Sequence, residues 1–219
     1  MSLHDRQDQG AMKIDPSQLG PKENYLLLIS AIVPRPIAFV STQGRGGALN
    51  LAPFSFFMGV STDPPTVAIS VGRRKGEKKD TSQNIADTGE FVVNVVDESV
   101  AKRMVQSSGD FPPDVDEFAI TGLTPAPSER VRPPRVAECK VSLECREVLT
   151  VLVGRKKQSL ILGQILMIHV DDAILDGGVI DTSKLRPIGR LGGSNYSRTR
   201  DIIEMLRPQI DPNPPPKDP

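Results

Sequence analysis

Histidine, cysteine and tryptophan are almost missing from this chain of 219 residues, which has two His, two Cys and no Trp. His4 sits in a polar leader, so a Ser-His-Asp or Cys-His centre would rest on His169 alone, and no G-x-S-x-G elbow accompanies it. Zinc is poorly supplied by two His and two separated Cys. Cys139 and Cys145 lie six residues apart in what reads as one extended strand. At ~3.3 Å per residue that is roughly 20 Å, too far to bridge or to share a metal, so they read as reduced core thiols. No side chain is assigned as catalytic and no metal site is expected. Hard chemistry in such a chain falls to a bound cofactor.

A charge excess is missing too. The 27 basic residues balance the 27 acidic ones, which argues against nucleic acid as a partner. The longest apolar run, Tyr25 to Val33, is too short to span a bilayer and stops at Pro34. No charged-then-apolar order marks a signal peptide, so a cytoplasmic location without membrane attachment is expected. Neither a G-x-G-x-x-G fingerprint nor a Walker-type loop is present.

Proline, by contrast, is abundant, with 20 residues. Five of them (212, 214, 215, 216 and 219) mark residues 209–219 as a disordered tail; residues 1–20 read as a disordered leader and 21–208 as one domain. Within the domain, prolines punctuate short apolar runs: IAFVST (37–42), ALNLAPFSFF (48–57), TVAISVG (66–72), FVVNVV (91–96), VAECKVSLECREV (136–148) and SLILGQILMIHV (159–170). GRGG (44–47) reads as a hairpin turn. Three helices are expected: one begun by Asp80 and Gln83 as a capping box and stopped by Gly89, one capped by Asp97 and running to about Val105, and one from Ser194 or Asn195 to Arg207. Many short strands with few helices predict an antiparallel barrel.

Four constellations carry the candidate chemistry. Residues 73–79 hold five positive charges and one negative, and run into the helix begun by Asp80. Free N–H groups, the helix dipole, the lysines and the Thr81 hydroxyl suit a phosphate; a solvated loop before an ordinary cap is the plainer reading. NLAPFSFF (50–57) sets three Phe beside Asn50, Ser55 and Pro53, fit either for a flat aromatic ligand or for core packing. Opposite it, Val67, Ile69 and Val71 would face one way and the small residues Ala68, Ser70 and Gly72 the other. Arg35 is held between Pro34 and Pro36, as an anion partner or a surface Arg. His169 shares its alternation with Ile161, Gly163, Ile165 and Met167, the pattern of a satisfied core histidine, while Arg190, Gly192, Gly193 and Tyr196 suit a pocket rim or a simple loop.

In order along the chain, PRPIAFVST, NLAPFSFF with STDPP, the K-D-T-x-x-N run at 79–84 and R-x-G-G-x-x-Y at 190–196 resemble the flavin reductase-like, FMN-binding split-barrel family, in its flavoredoxin branch. The resemblance spans about Tyr25 to Arg207. It implies a mainly β fold, a six-stranded antiparallel Greek-key split barrel with a few peripheral helices, working as a homodimer with FMN near the subunit interface. It also implies that Asn50, Leu51, Ala52, Pro53, Phe54, Ser55 and Phe56 line the flavin and its ribityl chain. Ser70, Arg73, Lys79, Asp80 and Thr81 would surround the phosphate, and Arg35 would help hold the cofactor. His169, Arg190 and Tyr196 would lie near the open flavin face or the dimer rim. The activity implied is an NAD(P)H-dependent flavin oxidoreductase; the alternatives are a flavoredoxin-like electron carrier, served by a redox partner protein and not by NADH or NADPH, and a barrel that has lost FMN.

Overall fold

A computed structural model describes residues 12–112 and 115–208. Seven antiparallel strands form one sheet: β1 (Ala38–Gln43), β2 (Leu49–Phe54), β3 (Phe57–Thr62), β4 (Pro65–Val71), β5 (Glu90–Val95), β6 (Val141–Val153) and β7 (Gln158–Val170). Their order is β2-β1-β5-β6-β7-β4-β3. The two edge strands are consecutive in the chain, so the sheet curls until its edges meet at the corner Ser55–Phe56. Phe54, Val67, Ile69, Phe91, Val93, Cys145 and Ile161 fill the enclosed space, and Ile85 closes one end. Six strands were expected. The run 48–57 breaks at the corner because the ladder changes partner there: β2 pairs with β1, whereas Phe56 O accepts from Ser70 N of β4 at 2.8 Å. Pro53 is tolerated because β2 is an edge strand.

Much of the local chemistry holds. Residues 44–47 form the β1–β2 turn, with Gly44 N donating to Ala48 O at 2.9 Å and Gly47 at φ +92°. Val67, Ile69 and Val71 point into the barrel, and Ala68 lies on the outer face. Helix α2 (Asp80–Thr88) ends at Gly89 in the left-handed region. Its N-cap, however, is Lys79, and Gln83 donates to Asp87 instead of closing a capping box. Asp97 accepts from Ser99 N and Val100 N, organising the turn ahead of α3 (Ala101–Ser107). With α4 (Glu117–Thr121), α3 covers the outer face of β1 and β2 through Phe39, Leu51, Met104 and Phe118.

Elsewhere the structure departs from expectation. Helix α1 (Pro21–Ala31) was not anticipated: its run of leucines and tyrosine has no helical periodicity and buries Ile29 alone. The leader is described from residue 12 and contains a 3₁₀ turn at Pro16–Gln18, capped by Asp15; residues 1–11 and the expected tail at 209–219 lie outside the described residues. The helix expected over 194–207 is absent. Tyr196–Arg198 is instead β9, paired with β8 (Ile188–Arg190), so its backbone groups serve a ladder and Ile202, Ile203 and Leu206 are left exposed. Cys139 precedes β6 in a turn, so the two cysteines do not share a strand; both are free thiols. No helix among the described residues is long and apolar enough to cross a membrane.

Candidate functional site

The sheet corner is organised by Arg35. Its backbone pairs with that of Arg190, with N–H to carbonyl distances of 3.0 and 2.8 Å. Its guanidinium donates through Nη1 to Ile29 O and Ile32 O, both at 2.6 Å, through Nη2 to Leu191 O at 3.0 Å and through Nε to Ser55 Oγ at 3.3 Å. The first two acceptors lie at the C-terminal end of α1, where the helix dipole favours a cation. One side chain therefore ties α1, the corner and the 190–196 loop together. Arg35 is 4% exposed, and burial, reinforced by Arg190, lowers its pKa.

Two hollows flank this Arg35–Ser55 contact. The larger, about 380 Å³, has apolar walls from Leu28, Ile32, Phe56 and Met58, with Ala68 and Ser70 as its small-residue face. The smaller, about 200 Å³, is lined by Ile29, Pro53, Phe54, Met104, Arg190 and Tyr196. Arg190 lies 4.6 Å over the Tyr196 ring and donates to the Tyr196 hydroxyl and Gly193 O. The corner thus brings together Arg35, Pro53, Phe54, Ser55, Phe56, Ser70, Arg190 and Tyr196 from five segments of the chain.

Other expected residues lie apart. Ala52 packs against the barrel core and Leu51 against the outer core. Asn50 is buried: its amide donates to Glu117 Oε1 at 2.9 Å and its carbonyl accepts from Thr81 Oγ1 at 2.8 Å. Glu117 Oε2 also accepts from Leu51 N at 3.0 Å. Thr81 therefore directs its proton inward and leaves the approach to α2 to Lys79 and to first-turn N–H groups, which have no intrahelical partner. Asp80 stands in that first turn. Burial raises the pKa of Glu117, against the pull of the Leu51 N–H and the Asn50 amide. Sequence reasoning missed this carboxylate; its neighbours look like an ordinary helix start, and its partners come from strands some 66 residues away.

Arg73 belongs to a basic hollow of about 590 Å³ formed with Lys75 and the β6–β7 turn, Arg155–Lys157. Its guanidinium donates to Lys157 O and Gly76 O. His169 is also elsewhere. A register shift between Glu144 and Cys145, opposite Met167 and Ile165, turns Met167 and His169 onto the face opposite Ile161 and Gly163. There His169 Nε2 meets the fully buried Glu144 at 2.6 Å, beside a hollow that contains neither Arg190 nor Tyr196. Its Nε2 is thus paired with a buried carboxylate, away from the corner. Another hollow, of about 780 Å³ between α3 and β9, takes Tyr196 alone of the expected residues.

Comparison with known proteins shows the family and the fold. Residues 30–189 match the family described as "Flavin reductase like domain". Component B of nitrilotriacetate monooxygenase from Bacillus cereus is 36% identical, with 89% of this chain and 98% of that one covered and a TM-score of 0.86. The 2-nitrobenzoate 2-nitroreductase of Pseudomonas fluorescens is 32% identical, with 92% and 99% covered and a TM-score of 0.84. A protein with a split barrel domain from Shewanella frigidimarina NCIMB 400 shares the fold at 22% identity and a TM-score of 0.79, with 90% and 100% covered.

Proposed function

The chain belongs to the flavin reductase-like family, with its split-barrel fold, and on that premise we propose that it is an FMN-binding oxidoreductase that uses NADH or NADPH. The observation that carries the reading is the corner itself: an apolar cleft with one small-residue wall, bounded by a buried guanidinium that has no carboxylate partner among the described residues. Ala68 and Ser70 let a flat ring lie close to β4, Phe56 and Met58 give it apolar contact, and Ser55 and Arg35 offer polar groups at its edge. Lys79 and the first turn of α2 supply the charge and donors for a phosphate. FMN held by these residues would supply the electron-transfer chemistry, with a nicotinamide as the hydride source. The protein's part is to hold both rings, exclude water and set the local charge. No acid or base is required, in keeping with a chain that has two His and two Cys. The name of the Pseudomonas relative, a nitroreductase, supports an oxidoreductase reading.

The reading extends to a homodimer. Met58 and Val60 of β3 and Val148, Leu149 and Val151 of β6 are exposed, an apolar surface suited to a second copy. Light scattering at micromolar concentration checks the mass.

Fluorescence titration with FMN and riboflavin tests cofactor choice. Lys79→Ala is expected to weaken FMN about tenfold and leave riboflavin unchanged, because riboflavin has no phosphate. Equal losses would move the phosphate site elsewhere. Failure of FMN to bind would reject the reading.

A further inference from the structure

Arg35 and Arg190 stand directly opposite each other across an antiparallel bridge, so their side chains leave the backbone on the same side. Like charges in that relation repel. The usual remedy is a carboxylate, yet neither arginine forms an ion pair among the described residues, and no Asp or Glu lines the hollow they share. Arg35 has nearly exhausted its donors: four hydrogen bonds leave one Nη2 hydrogen free. Arg190 is half-buried and, with two bonds made, keeps three N–H groups. One guanidinium is thus a fixed charge and the other a fork with donors to give. The walls beside them are mixed: Tyr25, Pro53, Phe54 and Tyr196 give ring and aliphatic surface, and Ser55 and Ser108 give hydroxyls.

We propose that this hollow recognises a small planar carboxylate, its flat body among Tyr25, Pro53, Phe54 and Tyr196 and its anionic head between Arg35 and Arg190. Free phosphate would leave those walls unused. A neutral ligand would leave two buried-side charges facing each other. The inference deepens the function proposed above by naming the chemical class the flavin site acts on, and it rests on that reading for the meaning of the site, not for its existence.

The test is isothermal titration of benzoate and of benzamide, its neutral counterpart, into the flavin-loaded protein and into the same protein without added flavin, with FMN and riboflavin uptake measured on the same samples. Benzoate is expected to bind at least about tenfold more tightly than benzamide. Arg190→Gln should remove that preference and Arg190→Lys should keep part of it, with thermal melting confirming that both variants fold. Equal affinity for the two ligands in the wild type overturns the proposal without recourse to any variant. So does unchanged benzoate affinity in Arg190→Gln. Competition of benzoate with FMN but not with riboflavin would overturn it as well, because the arginines would then hold the flavin phosphate. Charge-selective benzoate binding without flavin uptake supports the carboxylate site and rejects the flavin reading; flavin uptake without charge selectivity does the reverse.

Discussion

Glu144→Gln asks whether the late histidine of the barrel is a strut or part of the redox site. The Glu144 carboxylate is fully buried and accepts three hydrogen bonds: from Glu129 N at 2.9 Å, Arg130 N at 2.6 Å and His169 Nε2 at 2.6 Å. A glutamine retains one acceptor oxygen and turns an amide donor toward at least one of those donors. Glu129 N and His169 share Oε1 and Arg130 N uses Oε2, so a glutamine that keeps its oxygen in the Oε1 place loses one bond to a charged group and should cost about 1.5–3 kcal/mol at neutral pH. His169→Ala leaves the carboxylate its two backbone donors and removes the third, and should cost about 1.5–3 kcal/mol. Urea denaturation measures both, and the double variant gives their coupling. The sign with pH follows from the same contacts. Burial alone pushes the Glu144 pKa up, but the two backbone N–H groups and His169 outweigh it and leave it below the ordinary value. A lowered carboxylate contributes its stability in full above the ordinary range and loses it as pH falls through the lower folded value. The wild type should therefore lose its advantage over Glu144→Gln in acid. A Gln variant within about 0.5 kcal/mol of wild type at neutral pH would refute the strut. A His169→Ala protein of wild-type stability that no longer takes up flavin would return His169 to the cofactor site.

Two further outcomes are expected. A Cβ added at Gly163 would lie 2.3 Å from Phe91 Cζ and 3.3 Å from Cys145 Cβ inside the core, so Gly163→Ala should destabilise by about 3 kcal/mol; an unchanged melting temperature would show that the barrel packs differently. Glu117 is the opposite case to Glu144: its pKa is raised, so its contribution is full below the ordinary carboxylate range and is lost as pH rises through the higher folded value. Glu117→Gln should flatten that decline in denaturation curves taken at successive pH values, and a decline identical to wild type would refute the assignment.

What could be read in the residues was the chemistry that acts over a few positions. GRGG announced a turn because glycine takes positive φ, Gly89 announced a helix end for the same reason, and the small face of 66–72 followed from period-two alternation. The approximate strand inventory and the proline-bounded Arg35 came with the ordered motifs. What could not be read depends on distant partners. The register shift that removes His169 from the core face is set by pairing with β6, and nothing in SLILGQILMIHV marks it. The opposed pair Arg35 and Arg190 arises from residues more than 150 positions apart. Asn50 looked like a ligand contact because a polar residue among Phe suggests one; Glu117, supplied by α4, satisfies it from behind instead. The helix expected at 194–207 failed because ladder pairing with β8 overrides local pattern.

The central claim is that this chain holds a flavin that nicotinamide can reduce. Anaerobic mixing of the FMN-loaded protein with NADH and, separately, NADPH, followed through the absorption band of oxidised flavin, addresses it most directly. Bleaching with at least one nucleotide, and its return on admitting oxygen, is the predicted result. A loaded protein whose flavin band is unmoved by both nucleotides would contradict the reductase account and leave an electron carrier reduced by a partner protein.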